Sequence, residues 1–192
     1  MNPDATGGFN INVNWRNFDL GAYFNWSIGN DVYNVNKLAS LYGYKERGVY
    51  ENKLDIVKGS YTWYNIDANG SLNALTTPEQ LAAANVNATL PTPYNEQAVI
   101  SSLGIEDASY LRLNTLTLGY TLPKLLTGKV GIQNLRFYAS CYNLFTITGY
   151  DGLDPEVNSN ANLNHAVYPT TGLDWGTYPR ARSYVIGVNV NF

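Results

Sequence analysis

Phe9, Ile11, Val13 and Trp15 alternate with Asn10, Asn12, Asn14 and Arg16, and after Asn17 the alternation resumes as Phe18, Leu20, Ala22, Phe24, Trp26 and Ile28. A period of two places every apolar side chain on one face of a strand. The two runs therefore predict a β-hairpin turning at Arg16 and Asn17. The pattern returns from Ser109. Leu111 and Leu113 share one phase and Leu116, Leu118 and Tyr120 the other, so a β-bulge is expected near Asn114 and Thr115. Leu135, Phe137, Ala139 and Cys141 alternate with Arg136, Tyr138, Ser140 and Tyr142, and the chain closes on Tyr184, Ile186, Val188, Val190 and Phe192.

The stretches between read differently. Asp31 as a cap, with Val32, Val35, Ala39 and Tyr42 at helical spacing, predicts a short helix within residues 30–45. Gly59 to Ile66 reads as a strand with Tyr61 and Trp63 on one face. Thr77-Pro78-Glu79-Gln80 reads as a helix start, with Thr as N-cap, Pro in the first turn and Gln reaching back. The organisation expected is a hairpin over 7–29, a long outer loop region over 30–107, strands over 108–148, an outer loop over 149–180 and a terminal strand over 181–192.

The same alternation suits a β-sandwich, whose apolar face meets a second sheet, and an outer-membrane barrel, whose apolar face meets lipid. Three features favour the barrel. The strands approach the ~9–11 residues of a tilted span. Aromatics (Trp15, Phe18, Trp26, Tyr120, Tyr184, Phe192) sit at strand ends, as girdles at two interfaces require. Short and long connections alternate. A whole barrel needs ~8 strands or more, so five strands make a part of one. The expected fold class is all-β: strands of a large antiparallel transmembrane β-barrel, with long extracellular loops carrying short helices.

Composition narrows the chemistry. Of 192 residues, 45% are hydrophobic and 14% charged, and 12 Lys+Arg stand against 15 Asp+Glu, so no basic footprint for nucleic acid exists. One Cys and one His exclude a disulfide scaffold and a cysteine-built zinc site. Residues 1–5 do not read as a signal peptide, and an export signal is expected upstream. No catalytic motif rises above chance, so an enzyme is not expected and no cofactor is implied. A barrel enzyme would have to use His165, which reads as a loop residue. Cys141 reads as a small hydrophobe. Asp151, Asp154 and Glu156 do not follow calcium-loop spacing and read as a turn held by Asp side chains. Trp63, Tyr64, Tyr168, Trp175 and Tyr178 lie in polar loops, where they could stack on sugar rings, anchor a partner, or pack loop on loop.

Asn2-Pro3-Asp4-Ala5-Thr6-Gly7-Gly8-Phe9 with Gly29-Asn30-Asp31-Val32-Tyr33-Asn34, Ser109 to Tyr120 (SYLRLNTLTLGY), Leu135 to Thr148, Gly152-Leu153-Asp154-Pro155-Glu156-Val157 and Tyr178-Pro179-Arg180 together resemble segments of the SusC/RagA-type TonB-dependent outer-membrane transporters. The resemblance implies the C-terminal part of a transporter that imports oligosaccharides or peptides across the outer membrane of a Gram-negative bacterium. It implies a SusD-like surface lipoprotein as partner, and the TonB complex reached through a missing N-terminal part that also holds the plug. Without these, the fragment is expected not to transport. It further implies an outer-membrane assembly signal at Tyr184, Ile186, Val188, Val190 and Phe192. Phe9, Ile11, Val13, Trp15, Phe18, Leu20, Phe24, Trp26, Leu135 and Phe137 would face lipid. A secreted β-sandwich module that binds carbohydrate is the alternative.

Overall fold

The computed structural model describes residues 2–41, 54–93, 101–156 and 172–192. Its contacts divide into two units, residues 1–33 with 105–192 and residues 34–104.

In chain order the elements are β1 (Ala5–Trp15), β2 (Phe18–Ile28), β3 (Asp31–Asn34), α1 (Val35–Leu41), β4 (Tyr64–Ile66), β5 (Leu72–Ala74), α2 (Pro78–Ala84), β6 (Ile105–Asp107), β7 (Tyr110–Thr121), α3 (Lys124–Thr127), β8 (Asn134–Thr148), β9 (Leu173–Asp174) and β10 (Ser183–Asn191). The first unit is built on one five-stranded sheet ordered β1-β2-β7-β8-β10, with every neighbouring pair antiparallel. It is an open meander whose edges are β1 and β10, and among the described residues it does not close into a barrel. A small sheet, β6-β3-β9, adjoins it.

The hairpin turns where the alternation breaks. Trp15 pairs with Phe18, and Arg16 takes the left-handed backbone (φ 55°) that a two-residue hairpin loop demands of its first residue. The bulge also falls where the phase slips. Tyr23 pairs with Thr115 and Phe24 with Leu113, leaving Asn114 with no partner on β2. Opposite it, β8 contributes two residues, Asn143 and Leu144, and Asn143 absorbs the extra length with φ 52°, a region Asn tolerates. The extra residues return Leu113 and Leu111 to the face occupied by Leu116, Leu118 and Tyr120.

Within the first unit, the described residues leave that apolar face open. Phe9, Leu20, Phe137 and Val188 remain 44%, 36%, 45% and 51% exposed, so the dry interior a sandwich requires does not form over them. The buried hydrophobic cluster of this unit, Val32, Ala108 and Tyr150, lies at the end with the long connections.

The long stretch after β2 departs from two expectations. Asp31 does not cap a helix: it pairs with Asp107 in β3, Val32 is buried there, and α1 begins later, with Asn34 Oδ1 accepting the Lys37 N–H at 3.0 Å. Tyr42 lies outside the described residues. Gly59 to Ile66 is not one strand. Residues Asp55–Gly59 form a 3-10 turn, Ser60 makes an isolated bridge to Leu90, and only Tyr64–Ile66 pair, with Leu72–Ala74. The reason is local: Asn85 accepts the Thr62 N–H (2.7 Å) and donates to the Thr62 carbonyl (2.9 Å), removing that residue from any ladder. The start of α2 is as expected, with Thr77 and Gln80 forming a reciprocal capping box.

Candidate functional site

Cross-strand register joins the predicted apolar residues into continuous rows. One runs Trp15–Phe18–Tyr120–Phe137–Val188, the next Val13–Leu20–Leu118–Ala139–Ile186, and the next Ile11–Ala22–Leu116–Cys141–Tyr184. Above the bulge follow Phe9–Phe24–Leu113–Phe145 and then Trp26–Leu111–Ile147. Aromatic rings tie neighbouring strands: Phe9 and Phe24 stack at 4.9 Å, and Phe18 meets Tyr120 at 4.7 Å. Cross-strand aromatic pairs contribute roughly 0.2–1 kcal/mol each. Tyr184 departs from the girdle pattern. It opens the shorter β10, but its register with Cys141 and Leu116 sets it in the middle of the band. Cys141 sits in that row as one of its small apolar members.

The opposite face is polar and nearly charge-free. Asn10, Asn12, Gly21, Tyr23, Thr115 and Thr117 line a shallow hollow on it, and Thr117 and Ser140 share a hydroxyl hydrogen bond of 2.9 Å. The five strands hold three charged residues, Asp19, Arg112 and Arg136, and each is paired. Arg136 grips Asp19 through Nε (2.9 Å) and Nη2 (2.5 Å), reaching across β7. Gly119 lies beneath this bridge, and a Cβ there would collide with both partners. Gly119→Ala is therefore expected to open the pair and cost about 0.5–1 kcal/mol, the scale of a partly exposed ion pair. Urea titration checks it: Gly119→Ala and Arg136→Gln should be non-additive, whereas independent losses would show that the glycine serves another purpose.

At the long-connection end, Arg112 is 2% exposed and clasps the returning loop. Its Nη2 donates to Asp154 Oδ1 (2.5 Å) and its Nη1 lies 3.3 Å from Glu156 Oε2. Asp154 also accepts the N–H groups of Glu156 (3.0 Å) and Arg180 (3.1 Å), and Arg180 Nη2 donates to Glu156 Oε1 (3.3 Å). Burial alone would raise the Asp154 carboxyl, but the guanidinium and the two N–H donors outweigh it and hold it below the usual carboxylate value. Beside it, Tyr150 donates its hydroxyl to Asp174 Oδ2 (2.6 Å), and Asp174 Oδ1 accepts from the N–H of Gly176 (3.1 Å) and Thr177 (3.3 Å). Burial first, then that carboxylate, pushes the Tyr150 hydroxyl well above its ordinary value. Asn30 completes the anchor. It accepts from Ser27 Oγ (2.8 Å), and its side-chain amide donates to the Ala108 carbonyl (3.0 Å).

Reasoning along the sequence assigned Asp154 to a turn and gave Arg112, Tyr150 and Asp174 no role. The available signal was the rarity of charge in the strands, which makes an arginine between Leu111 and Leu113 conspicuous. No group of three or more His, Cys, Asp or Glu able to hold a metal ion forms among the described residues. Trp63 and Tyr64 are exposed in the second unit, with Trp63 edge-on to Tyr61 at 5.4 Å. Trp175 and Tyr178 are exposed after β9 in the first. Tyr168 and His165 lie outside the described residues. Ile186 and Val188 project from the free edge strand β10, and Phe192 follows it.

No protein-family model matches the chain. Among curated proteins it is 31% identical over 190 residues to TonB-dependent receptor P3 of Formosa agariphila, covering 99% of this chain and 16% of that receptor. It is 26% identical to TonB-dependent receptor SusC of Bacteroides thetaiotaomicron, covering 98% of this chain and 15% of SusC. Among solved structures, the RagAB peptide importer in its open-open state matches with a TM-score of 0.69 at 25% identity, over 100% of this chain and 17% of that one. The chain thus spans about a sixth of the length of the curated relatives it matches.

Proposed function

We propose, from a chain related over its whole length to SusC/RagA-type TonB-dependent receptors, that these residues form one wall segment of an outer-membrane β-barrel importer. In this reading the apolar rows touch hydrocarbon and the Asn, Thr and Tyr face lines the water-filled bore. The long-connection end faces outward and the short turns face the periplasm. A SusD-like lipoprotein covers the outer end; Trp175 and Tyr178 of the first unit, and separately Trp63 and Tyr64 of the second, offer large rigid surfaces to it or to an oligosaccharide or peptide substrate. The TonB complex acts through a part of the receptor outside this chain. The β10 pattern from Tyr184 to Phe192 serves as the assembly signal, its exposed edge offered to the insertion machinery by strand addition.

The observation that carries this reading is the single exposed apolar face shared by all five strands, with every strand charge on the other side. Closed barrels satisfy backbone polar groups in lipid, which an open five-stranded sheet cannot do alone. The fragment is therefore a part of the wall and not a transporter by itself.

Spin labels test it in the complete receptor, with Cys141 replaced by Ala and the receptor reconstituted in vesicles. Labels at Val13→Cys and Leu118→Cys are expected to collide with oxygen dissolved in lipid. Labels at Asn12→Cys and Thr117→Cys should collide with a water-soluble nickel chelate. Inaccessibility of the apolar pair to both reagents would instead restore the sandwich.

A further inference from the structure

The chain distributes its charge unevenly along the sheet axis. At the short-connection end, Arg16 tops the β1–β2 turn, and Lys124 and Lys129 flank the turn between β7 and β8. Backbone and side-chain bonds hold the two turns together: the Thr121 N–H donates to the Asn17 carbonyl (2.8 Å), and Asn17 Nδ2 donates to the Thr121 carbonyl (2.7 Å). All three cations are exposed, and among the described residues none has an acidic partner. Asp19, three residues from Arg16 in sequence, is already held by Arg136. The opposite end has an excess of acids, with Asp31, Glu106, Asp107, Asp151, Asp154, Glu156 and Asp174 against Arg112 and Arg180.

Beside the cations stand two leucines with nothing over them. Leu125 is 83% exposed and Leu126 57%, in the short helix α3. They follow directly on the strand that ends in the aromatic row Trp15–Phe18–Tyr120–Phe137. Arg16 lies over the Trp15 ring at 5.2 Å. Aromatics of this kind settle at headgroup level, and in a turn beside them exposed leucines can dip toward the acyl boundary while neighbouring cations meet phosphate.

We infer that the short-connection end is a docking surface for anionic phospholipid headgroups in the adjoining leaflet, with Arg16, Lys124 and Lys129 taking the phosphates and Leu125 and Leu126 the upper acyl chains. This rests on the membrane reading above. It adds a chemical class of lipid, an end of the molecule and five residues to it.

The complete receptor in mild detergent, equilibrated with equal amounts of phosphatidylglycerol and phosphatidylcholine, tests it by native mass spectrometry of retained lipid. The parent should retain phosphatidylglycerol preferentially. Arg16→Gln/Lys124→Gln/Lys129→Gln should lower that preference about tenfold while leaving phosphatidylcholine unchanged. Lys124→Arg/Lys129→Arg should keep it, and Leu125→Asn/Leu126→Asn should reduce both lipids. If the triple variant loses its heat-dependent shift in gel mobility, the single Lys124→Gln and Lys129→Gln variants replace it, each expected to cost about two- to threefold. Equal retention of the two lipids by the parent, or an unchanged preference in the Gln variants, overturns the docking surface and leaves the barrel standing. A parent that retains neither lipid overturns the docking surface as well, while failure of the membrane reading shows separately in the spin-label accessibilities.

Discussion

Replacing Arg112 with Met is expected to cost about 3–5 kcal/mol, the range for breaking a buried ion pair by removing one partner. The loss comes less from the missing attraction than from what remains. Asp154 and Glu156 would stay at the base of the returning loop with their shared guanidinium gone. Arg112→Lys should recover only part of the loss, since one ammonium cannot replace the separate Nη2 and Nη1 contacts to the two carboxylates. Arg112→Met combined with Asp154→Asn and Glu156→Gln should recover part of it, because the stranded charges are gone and an amide oxygen at 154 can still accept the Glu156 and Arg180 N–H groups. Urea titration of the complete receptor, read by gel mobility, measures the series, and proteolysis within residues 149–180 reports release of the loop. A cost below about 1 kcal/mol for Arg112→Met would show that water reaches the site and screens it.

The same clasp sets an acid limit. The folded Asp154 carboxyl lies below its ordinary value of 3.8, so its contribution is complete above that pH and fades as pH falls through the lowered folded value. The stability difference between parent and Asp154→Asn should therefore be flat from neutral pH down to about 5 and shrink below about 4. Tyr150 behaves oppositely. Its folded value is raised above 10, so its contribution holds at lower pH and is lost only as pH climbs through that raised value.

The strands were legible because each has one wet and one greasy face, and a period of two survives in the residues themselves. Even the Asn114 bulge left its mark, since an extra residue must flip the phase from Leu113 to Leu116. The Thr77 capping box was legible because its partners lie three residues apart. What escaped depended on partners distant in the chain. Asn85 reaches back 23 residues to break the strand expected through Thr62, and Asp154 lies 42 residues beyond Arg112. Alternation carries no information about such meetings. The apolar character of the face was legible too, but not which solvent it meets, because lipid and a second sheet select the same side chains.

A buried arginine on that face would separate the two solvents. Leu116→Arg sits on the central strand, in the row Ile11–Ala22–Leu116–Cys141–Tyr184, between the aromatic rows at either end. In a membrane its cost is set by depth: about 2–4 kcal/mol near the midplane, falling to about 0–1 near the interface. Leu118→Arg should then cost less than Leu116→Arg, and Tyr120→Arg, in the terminal aromatic row, least. Asn12→Arg, at an exposed position of the polar face, should be within about 0.5 kcal/mol of the parent, as a surface substitution. Against a second sheet, the gradient has no reason to exist, because every position in a dry core excludes the charge alike. Urea titration of the receptor in vesicles measures all four. A smooth fall from Leu116 through Leu118 to Tyr120 assigns the apolar rows to lipid, whereas equal large costs would return them to a protein interior.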